Sequence, residues 1–242
     1  MSLLDVQDLT ARHGLLEAVR GVSFSVDAGE TMALVGANGA GKTTMLRTIA
    51  GAHALASGRI SFRGEDISHL PAHRRCSRGL ALVPEGRRLF GQMTVEENLL
   101  LARMAGRTGD WTLDRVLEAF PNLQNRRKSK CVHLSGGEQQ ATAIGRALLT
   151  NPDLLILDEV SLGLSPLVVE RVYEQLAGLM KSGVTIILVE QDLKRALTVA
   201  DRVICMLEGR IVLAGKTDSL SREDVTNAYF GLGRVNSHGE NQ

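Results

Sequence analysis

Residues 31–43 read TMALVGANGAGKT, and the architecture of the chain follows from this stretch. The apolar run Thr31–Val35 predicts a buried strand, and Lys42–Ala50 predicts the helix that follows it. The glycine-rich loop between them can turn its backbone N–H groups inward, because glycine reaches conformations that side chains forbid. A strand, such a loop and a helix in this order predict a phosphate-binding site, and this flanking pattern argues against a chance match in an ordinary turn.

The residues of this loop are expected to bind a nucleotide. Lys42 reaches toward the β- and γ-phosphates, and the hydroxyl of Thr43 is a ligand for Mg²⁺. The predicted nucleotide-binding residues of the loop are Gly36, Ala37, Asn38, Gly39, Ala40, Gly41, Lys42, Thr43 and Thr44.

A second apolar run, Leu154–Leu157, is followed directly by two carboxylates, Asp158 and Glu159. Open α/β sheets bind their ligands at the carboxyl ends of the strands. Asp158 can bind Mg²⁺ through water, and Glu159 can polarise the water that attacks the γ-phosphate. Capping of the next turn is the alternative role for this pair. The upstream phosphate loop favours the catalytic interpretation.

A second helix start suited to an anion lies at residues 134–140, which read LSGGEQQ. Its free N–H groups and the positive end of the helix dipole favour an anion, and Ser135 adds a hydroxyl. Ser135 and Glu138 also fit an N-terminal capping box, and both roles can hold together. Because one chain needs only one phosphate loop for one nucleotide, the second helix start suggests that half of each site comes from another subunit.

Composition excludes several classes of function. The net charge is +1, and the 28 Lys and Arg residues are spread along the chain, which argues against nucleic acid as a partner because phosphate-backbone binding needs a concentrated positive face. Cys76, Cys131 and Cys205 have no disulfide or metal-ligand spacing, so a reducing cytosol is expected. We find no signal peptide and no apolar run near the ~18 residues that span a bilayer. The chain is therefore expected to be soluble, with any membrane role arising through partners.

Short apolar runs alternate with longer helical patterns along the chain. Continuous apolar runs are typical of parallel strands covered on both faces, and their alternation with helices predicts an α/β fold with crossover helices. The predicted parallel strands are Thr31–Val35, Leu80–Val83, Leu154–Leu157, Val184–Val189 and Val203–Met206. The predicted helices are Lys42–Ala50, Glu138–Leu149, Pro166–Lys181 and Asp192–Ala200.

Two further parts complete the predicted fold. Runs in which apolar and polar residues alternate predict a smaller antiparallel layer at one edge, and a segment of about residues 85–132 predicts a helical subdomain inserted in the core. We expect a single domain over residues 1–235 and a disordered polar tail at 236–242. The runs assigned to the edge layer are Leu3–Leu9, Val22–Val26, Ile60–Phe62 and Arg210–Ala214. Helices in the insert are predicted at Thr94–Met104 and Thr112–Phe120.

The order of these motifs resembles the ATP-binding cassette (ABC) family of transport ATPases. The resemblance covers Leu3 to Gly231, and residues 134–140 match the family signature at the family's spacing from the phosphate loop and the acidic pair. It implies a P-loop NTPase fold with a mixed sheet, and ATP hydrolysis with Mg²⁺. It also implies a nucleotide-bound head-to-tail dimer in which each signature acts on the partner's ATP. The signature residues are Ser135, Gly136, Gly137 and Glu138.

More narrowly, the sequence resembles the second of the two ATPases of bacterial branched-chain amino-acid importers. This resemblance implies a second, homologous ATPase subunit, two membrane permease subunits and, indirectly, a periplasmic or lipid-anchored solute-binding protein. It also implies a peripheral location on the cytoplasmic face of the inner membrane. Related systems carry urea or short amides, so the solute stays open, as does whether the second ATPase is a copy or a relative. The stretches that carry the resemblance are Val83–Phe90, Met93–Leu99, Ser161–Leu164 and Leu188–Gln191.

Several positions depart from the wider family pattern. Glu85 stands where many cassettes have Gln; it can still interact with Mg²⁺ but cannot donate a hydrogen bond when ionised. Gln191 replaces the usual switch His, so it can hydrogen-bond a γ-phosphate oxygen without carrying a proton's charge. His13 replaces the aromatic residue that stacks on adenine, with an ordinary surface-turn His as its alternative role. Val160 replaces a Pro, and Ser165 replaces an Asp.

Two functions other than transport are alternatives. A non-transport cassette ATPase, such as an iron–sulfur cluster assembly factor, fits the chain length equally well. A nucleotide sensor without hydrolysis would be marked by loss of Lys42 or Glu159, and both residues are present.

Overall fold

A computed structural model describes residues 2–181 and 183–232, which form two sheets flanked by helices. The strands are β1 (Ser2–His13), β2 (Leu16–Asp27), β3 (Thr31–Val35), β4 (Ser57–Phe62), β5 (Glu65–Asp66), β6 (Leu80–Val83), β7 (Leu154–Leu157), β8 (Thr185–Val189), β9 (Arg202–Leu207) and β10 (Arg210–Lys216). The α-helices are α1 (Lys42–Ile49), α2 (Ala72–Ser77), α3 (Val95–Leu100), α4 (Leu113–Ala119), α5 (Gly136–Leu148), α6 (Pro166–Lys181), α7 (Leu193–Val199) and α8 (Arg222–Phe230). Short 3₁₀ turns lie at Leu101–Ala105, Pro121–Arg126 and Cys131–His133.

The larger sheet has the strand order β10-β9-β3-β8-β7-β6, and all of its strands but β10 run parallel. Every residue of β3, β7 and β8 is buried, which confirms the α/β interpretation of these continuous apolar runs. Because parallel strands end at the same edge, the segments that follow β3, β7 and β8 meet there. The sheet therefore brings the phosphate loop, the acidic pair and Gln191 to one edge.

The smaller sheet is antiparallel, with the order β2-β1-β4-β5. The prediction that Arg210–Ala214 belongs to this layer is wrong, because β10 pairs antiparallel with β9 at the end of the larger sheet. The two-residue turn Glu208–Gly209 has φ values of 48° and 80°. Positive φ at both turn residues gives a tight hairpin, and this turn holds β10 beside β9.

An apolar core joins the two sheets around α1. Leu4 and Phe62 of the smaller sheet and Leu34 of the larger one are fully or almost fully buried together with Met45 and Leu46 of α1. Burial of each such side chain contributes about 1.5–3 kcal/mol to folding. The helix that begins at the phosphate loop is thus fixed to both sheets.

The predicted helical insert is present between β6 and α5, where α3 and α4 pack on α5. Thr94 begins α3 with a capping box completed by Glu97. Gly145 of α5 lies against both helices: a Cβ there would be 2.7 Å from Val116 Cγ1 and 3.1 Å from Leu99 Cδ2. A glycine at this position is therefore what lets the insert approach α5 closely.

Among the described residues, no helix has both the length and the apolar character that a membrane crossing needs. The predicted polar tail at 236–242 lies outside the described residues.

Candidate active site

The phosphate loop between β3 and α1 depends on glycine at two positions. Gly36 has φ 150° and Gly41 has φ 97°. A Cβ on Gly36 would collide with the carbonyl oxygen of Met206, and one on Gly41 with that of Ala18. Backbone angle and close approach both exclude a side chain, so glycine at these two positions lets the loop pack against the backbone of β9 and β2.

Lys42, the first residue of α1, folds back over this loop. Its side chain is almost entirely buried, and its Nζ donates hydrogen bonds to the carbonyl oxygens of Gly36 at 2.7 Å and Ala37 at 3.0 Å. Burial lowers the pKa of Lys42, and the negative charges of Glu159 and Asp158 oppose that shift. The loop thus holds one ammonium group next to the acidic pair.

Asp158 follows β7 and is 1% exposed. The hydroxyl of Thr43 donates to its Oδ1 at 3.1 Å, while its buried Oδ2 has no hydrogen-bond partner among the described residues. Burial raises the pKa of Asp158 to about 6; the Thr43 hydrogen bond opposes this, and Glu159 and Glu85 add to it. A buried carboxylate oxygen without a partner, beside a hydroxyl, fits a cation with oxygen ligands such as Mg²⁺.

A cavity of about 500 Å³ opens beside the loop. Glu159 lines it in the left-handed conformation, with φ 49°, which is uncommon for a residue with a side chain. Across the cavity, Gln191 Nε2 donates to Asn38 Oδ1 at 3.2 Å and so joins the end of β8 to the phosphate loop. The predicted site residues that line the cavity are His13, Asn38, Gly39, Gly41, Lys42, Thr43, Thr44, Glu85, Glu159 and Gln191.

Four of the residues predicted to bind nucleotide or Mg²⁺, Gly36, Ala37, Ala40 and Asp158, do not line this cavity. Within residues 2–181 and 183–232, no group of three or more His, Cys, Asp or Glu side chains could hold a metal ion. The acidic residues near the cavity therefore cannot bind a metal ion by themselves. This agrees with the way proteins usually bind Mg²⁺, through one or two carboxylates together with substrate phosphates.

His13 ends β1 at the rim of the cavity, where its Nε2 lies 3.1 Å from Thr44 Oγ1. Its ring centroid lies 4.6 Å from that of His53, with the ring planes at 49°. Sequence reasoning missed His53, because forty residues separate the two imidazoles and no local pattern links them. Leu16, the first residue of β2, also lines the cavity and was missed. His13 and Leu16 therefore give this rim of the cavity an imidazole ring and an apolar side chain.

The signature forms the start of α5, away from the cavity. Ser135 Oγ accepts from the backbone N–H of Glu138 at 3.3 Å, and the Glu138 carboxylate accepts from that of Ser135 at 2.8 Å. The predicted capping box is confirmed. The glycines also have a packing role that the sequence did not reveal: a Cβ on Gly136 would lie 2.9 Å from Leu164 Cδ2, and one on Gly137 2.7 Å from Val168 Cγ1.

The structure accounts for two of the departures from the family pattern. Val160 is 1% exposed and packs in the apolar core beside the helical insert, so its side chain anchors the turn after the acidic pair. Ser165 is exposed, and its carbonyl accepts the first hydrogen bond of α6 from the N–H of Val169.

A phosphate loop, an acidic pair and a capped signature helix on this mixed sheet define an ATP-binding cassette. A family model described as "ABC transporter" matches residues 19–161. The chain belongs to the ABC transporter family, and it is an ATPase of that family.

Curated relatives match over nearly the whole chain. The chain is 42% identical to the high-affinity branched-chain amino acid transport ATP-binding protein BraG of Pseudomonas aeruginosa, over 95% of this chain and 100% of that one. It is 34% identical to a probable branched-chain amino acid transport ATP-binding protein, LivF, of Archaeoglobus fulgidus, over 90% and 94% of the two chains.

Solved structures have the same fold. An ATP-binding subunit of an ABC transporter superposes with a TM-score of 0.82 at 32% identity, over 96% of this chain and 100% of that one. Cassettes solved as dimers are also among the neighbours, at 22% and 23% identity and TM-scores of 0.79, over 90% of this chain and 100% of each of those. At that identity they are informative about the fold alone.

Proposed function

We propose that this chain is the ATP-hydrolysing subunit of a bacterial importer for branched-chain amino acids. The observation that carries the proposal is the match with the Pseudomonas protein over 95% of this chain and 100% of that one. The subunit would lie peripherally on the cytoplasmic face of the inner membrane, with two permease subunits and a periplasmic or lipid-anchored solute-binding protein completing the system. Transport of urea or a short amide instead would show in a solute-uptake assay.

Each part of the site has a proposed role in hydrolysis. Lys42 and the N–H groups of residues 36–44 hold the β- and γ-phosphates of ATP. Glu159 takes a proton from the attacking water, and the Gln191 amide donates to a γ-phosphate oxygen. Thr43 and Asp158 would hold Mg²⁺, with Glu85 near them; the ion supplies positive charge that offsets the charge on the phosphates. His13 stacks on adenine.

The signature acts on ATP bound to a second ATPase subunit, which is either a copy of this chain or a homologue. Ser135 and the N-terminus of α5 lie outside the chain's own cavity, so in this proposal they have no ATP of their own to contact. In a head-to-tail dimer, each signature would cover the phosphate loop of the partner. ATP binding would then close the dimer, and hydrolysis would open it.

A mostly apolar groove of about 500 Å³ lies between the larger sheet and the helical insert, and we propose it as the permease-docking groove. Phe90 at its rim is 57% exposed, although aromatic side chains of this size are mostly buried. An exposed aromatic anchor beside an apolar recess is typical of protein interfaces. Residues that line the groove include Ala81, Val83, Pro84, Phe90, Ala102 and Ala147.

Phe90→Glu tests this assignment. We expect ATP turnover of the wild-type chain to rise when permease subunits are present, and the substitution to remove most of that rise and roughly tenfold or more of the permease affinity. The measurement is phosphate release in membranes with and without the permeases, with co-purification of the permeases. Phe230→Glu, at an exposed aromatic on α8, is the matched control. A turnover indifferent to the permeases contradicts the proposal.

Asp158 makes Mg²⁺ dependence sensitive to pH. Its pKa of about 6 lies above the usual value, so between about pH 4 and pH 6 the folded chain keeps a proton on this carboxyl that an exposed Asp has lost. A protonated carboxyl is a poor ligand for Mg²⁺. The Mg²⁺ concentration for half-maximal turnover should therefore rise as pH falls through about 6. Because the terminal phosphate of ATP also takes up a proton in this range, Asp158→Asn should reduce this dependence in the residual activity to the part that ATP itself causes. If the Mg²⁺ requirement of the wild type did not change between pH 5 and 8, the assignment of Asp158 as a ligand for Mg²⁺ would be contradicted.

A further inference from the structure

Glu190 is a buried carboxylate to which the hydrolysis mechanism gives no role. It follows β8 and is 2% exposed, and its backbone N–H donates to the carbonyl of Leu34 in the neighbouring strand β3. Acidic residues are almost never fully buried unless they are paired, and burial raises the pKa of this one. The environment must therefore supply donors that keep the carboxylate in place.

In the described part of the chain, Glu190 accepts from four hydrogen-bond donors and faces one guanidinium group. Its Oε1 accepts from Ser161 Oγ at 3.0 Å and from the hydroxyl of Tyr173. Its Oε2 accepts from the backbone N–H groups of Gln191 at 3.2 Å and Asp192 at 3.4 Å. Arg195 Nη1 lies 4.0 Å from Oε2, and its guanidinium stands over the Tyr173 ring. This set fits an acceptor at both oxygens. An amide in place of the carboxylate would lose the charge. Its NH₂ would face either the two backbone N–H groups, which cannot accept, or the Ser161 and Tyr173 hydroxyls, which would have to change from donors to acceptors.

The partners of Glu190 connect the two segments that line the cavity. Ser161 stands two residues after Glu159, and Gln191 is the next residue in the chain. We propose that Glu190 is a positioning residue that fixes the turn carrying Glu159 relative to the turn carrying Gln191. Glu159 and Gln191 would then contact the attacking water and the γ-phosphate, respectively, at a fixed position relative to each other. The inference rests on the roles proposed above for Glu159 and Gln191.

The test is a double-mutant cycle with Glu190→Gln and Ser161→Ala. Misplacement of a catalytic group lowers kcat more than ground-state binding, so we expect each variant to lower kcat roughly tenfold and to leave KM for ATP within about twofold. Because both changes break the same link, the double variant should be about as active as the slower single variant. Thr198→Ala, which removes a hydrogen bond within α7, is the control and should match the wild type.

Two outcomes would overturn the inference. One is a double variant whose loss of kcat equals the product of the two single losses, and the other is a loss in KM alone. If Glu190→Gln does not fold, Ser161→Ala decides: a lowered kcat with unchanged Tm supports the link, and a wild-type kcat rejects it. All values are ratios to the wild-type turnover of the same purified complex. Failure of the importer proposal would appear elsewhere, as wild-type turnover that permeases do not stimulate.

Discussion

Glu159→Gln should leave ATP bound and lower ATP turnover by about 10²–10⁴-fold, the range that a positioned general base contributes. The amide has almost the same shape as the carboxylate, so the cavity and the left-handed turn at residue 159 can persist. It cannot take a proton from the attacking water. Phosphate release measures turnover, and equilibrium binding of a fluorescent ATP analogue measures affinity.

Glu174→Gln is the matched control for this change. Glu174 is exposed on α6 and does not line the cavity, so the same chemical change there should alter neither turnover nor ATP affinity. If Glu159→Gln hydrolysed ATP at the wild-type rate in the assembled complex, the assignment of Glu159 as the general base would be wrong.

Lys42→Ala should abolish detectable turnover and weaken ATP binding by about 10²–10³-fold. The Nζ group already donates two hydrogen bonds in the loop, and hydrogen bonds from a charged group are worth about 1.5–3 kcal/mol each. In the variant, the phosphate oxygens of ATP would have neither the positive charge nor the N–H donors of the Lys42 ammonium group. The measurement is isothermal titration with ATP and Mg²⁺.

The control for Lys42→Ala is Lys194→Ala, at an exposed position on α7. Both changes remove one positive charge, but only the first removes it from the loop. Because the substitution also removes a donor from the carbonyl oxygens of Gly36 and Ala37, although Ala37 still accepts from the N–H of Ala40, Tm is recorded for each variant. Retention of wild-type ATP affinity by a folded Lys42→Ala chain contradicts the assignment.

The larger sheet was predictable because its strands are short continuous apolar runs, and such runs carry their own evidence of burial on both faces. The assignment of β10 failed for a related reason. Alternation of polar and apolar residues indicates that one face of a strand is exposed, but it does not indicate which other strand pairs with it. The turn Glu208–Gly209 decides that question, through positive φ at two consecutive residues.

Two helices and a strand were not predicted: α2, α8 and β5. Six residues of α2 follow Pro71 without a side-chain cap, and only Arg75 among them is buried. In α8, Val225 is the one buried residue of the helix. The α2 segment shows no apolar stripe, so periodicity had nothing to detect there. In α8, Val225, Ala228 and Tyr229 stand at i, i+3 and i+4 and pack on the core, so that helix had a short apolar stripe. Ser221 and Asp224 form a capping box before α8, and that signal was available in the sequence.

The features of the candidate site also fall into those that the sequence could locate and those that only the structure shows. The phosphate loop and the acidic pair could be located because each is a contiguous run with its own local geometry. His53 beside His13 and Glu190 beside Ser161 could not, since these contacts join residues 40 and 29 positions apart. Packing of Gly136 and Gly137 against Leu164 and Val168 is likewise visible only in three dimensions.

The proposed division of each ATP site between two chains can be tested with an ATP analogue that carries a photoreactive group on the γ-phosphate. A tagged Lys42→Ala chain is purified together with its wild-type partner ATPase, whether copy or homologue, and the labelled peptides are identified by mass spectrometry. We predict that residues 134–140 of the tagged chain are labelled although its own loop is disabled, and that adding Ser135→Arg to it removes the label. Loss of the label with Lys42→Ala alone would mean that the signature contacts the ATP of its own chain, and would contradict the proposal.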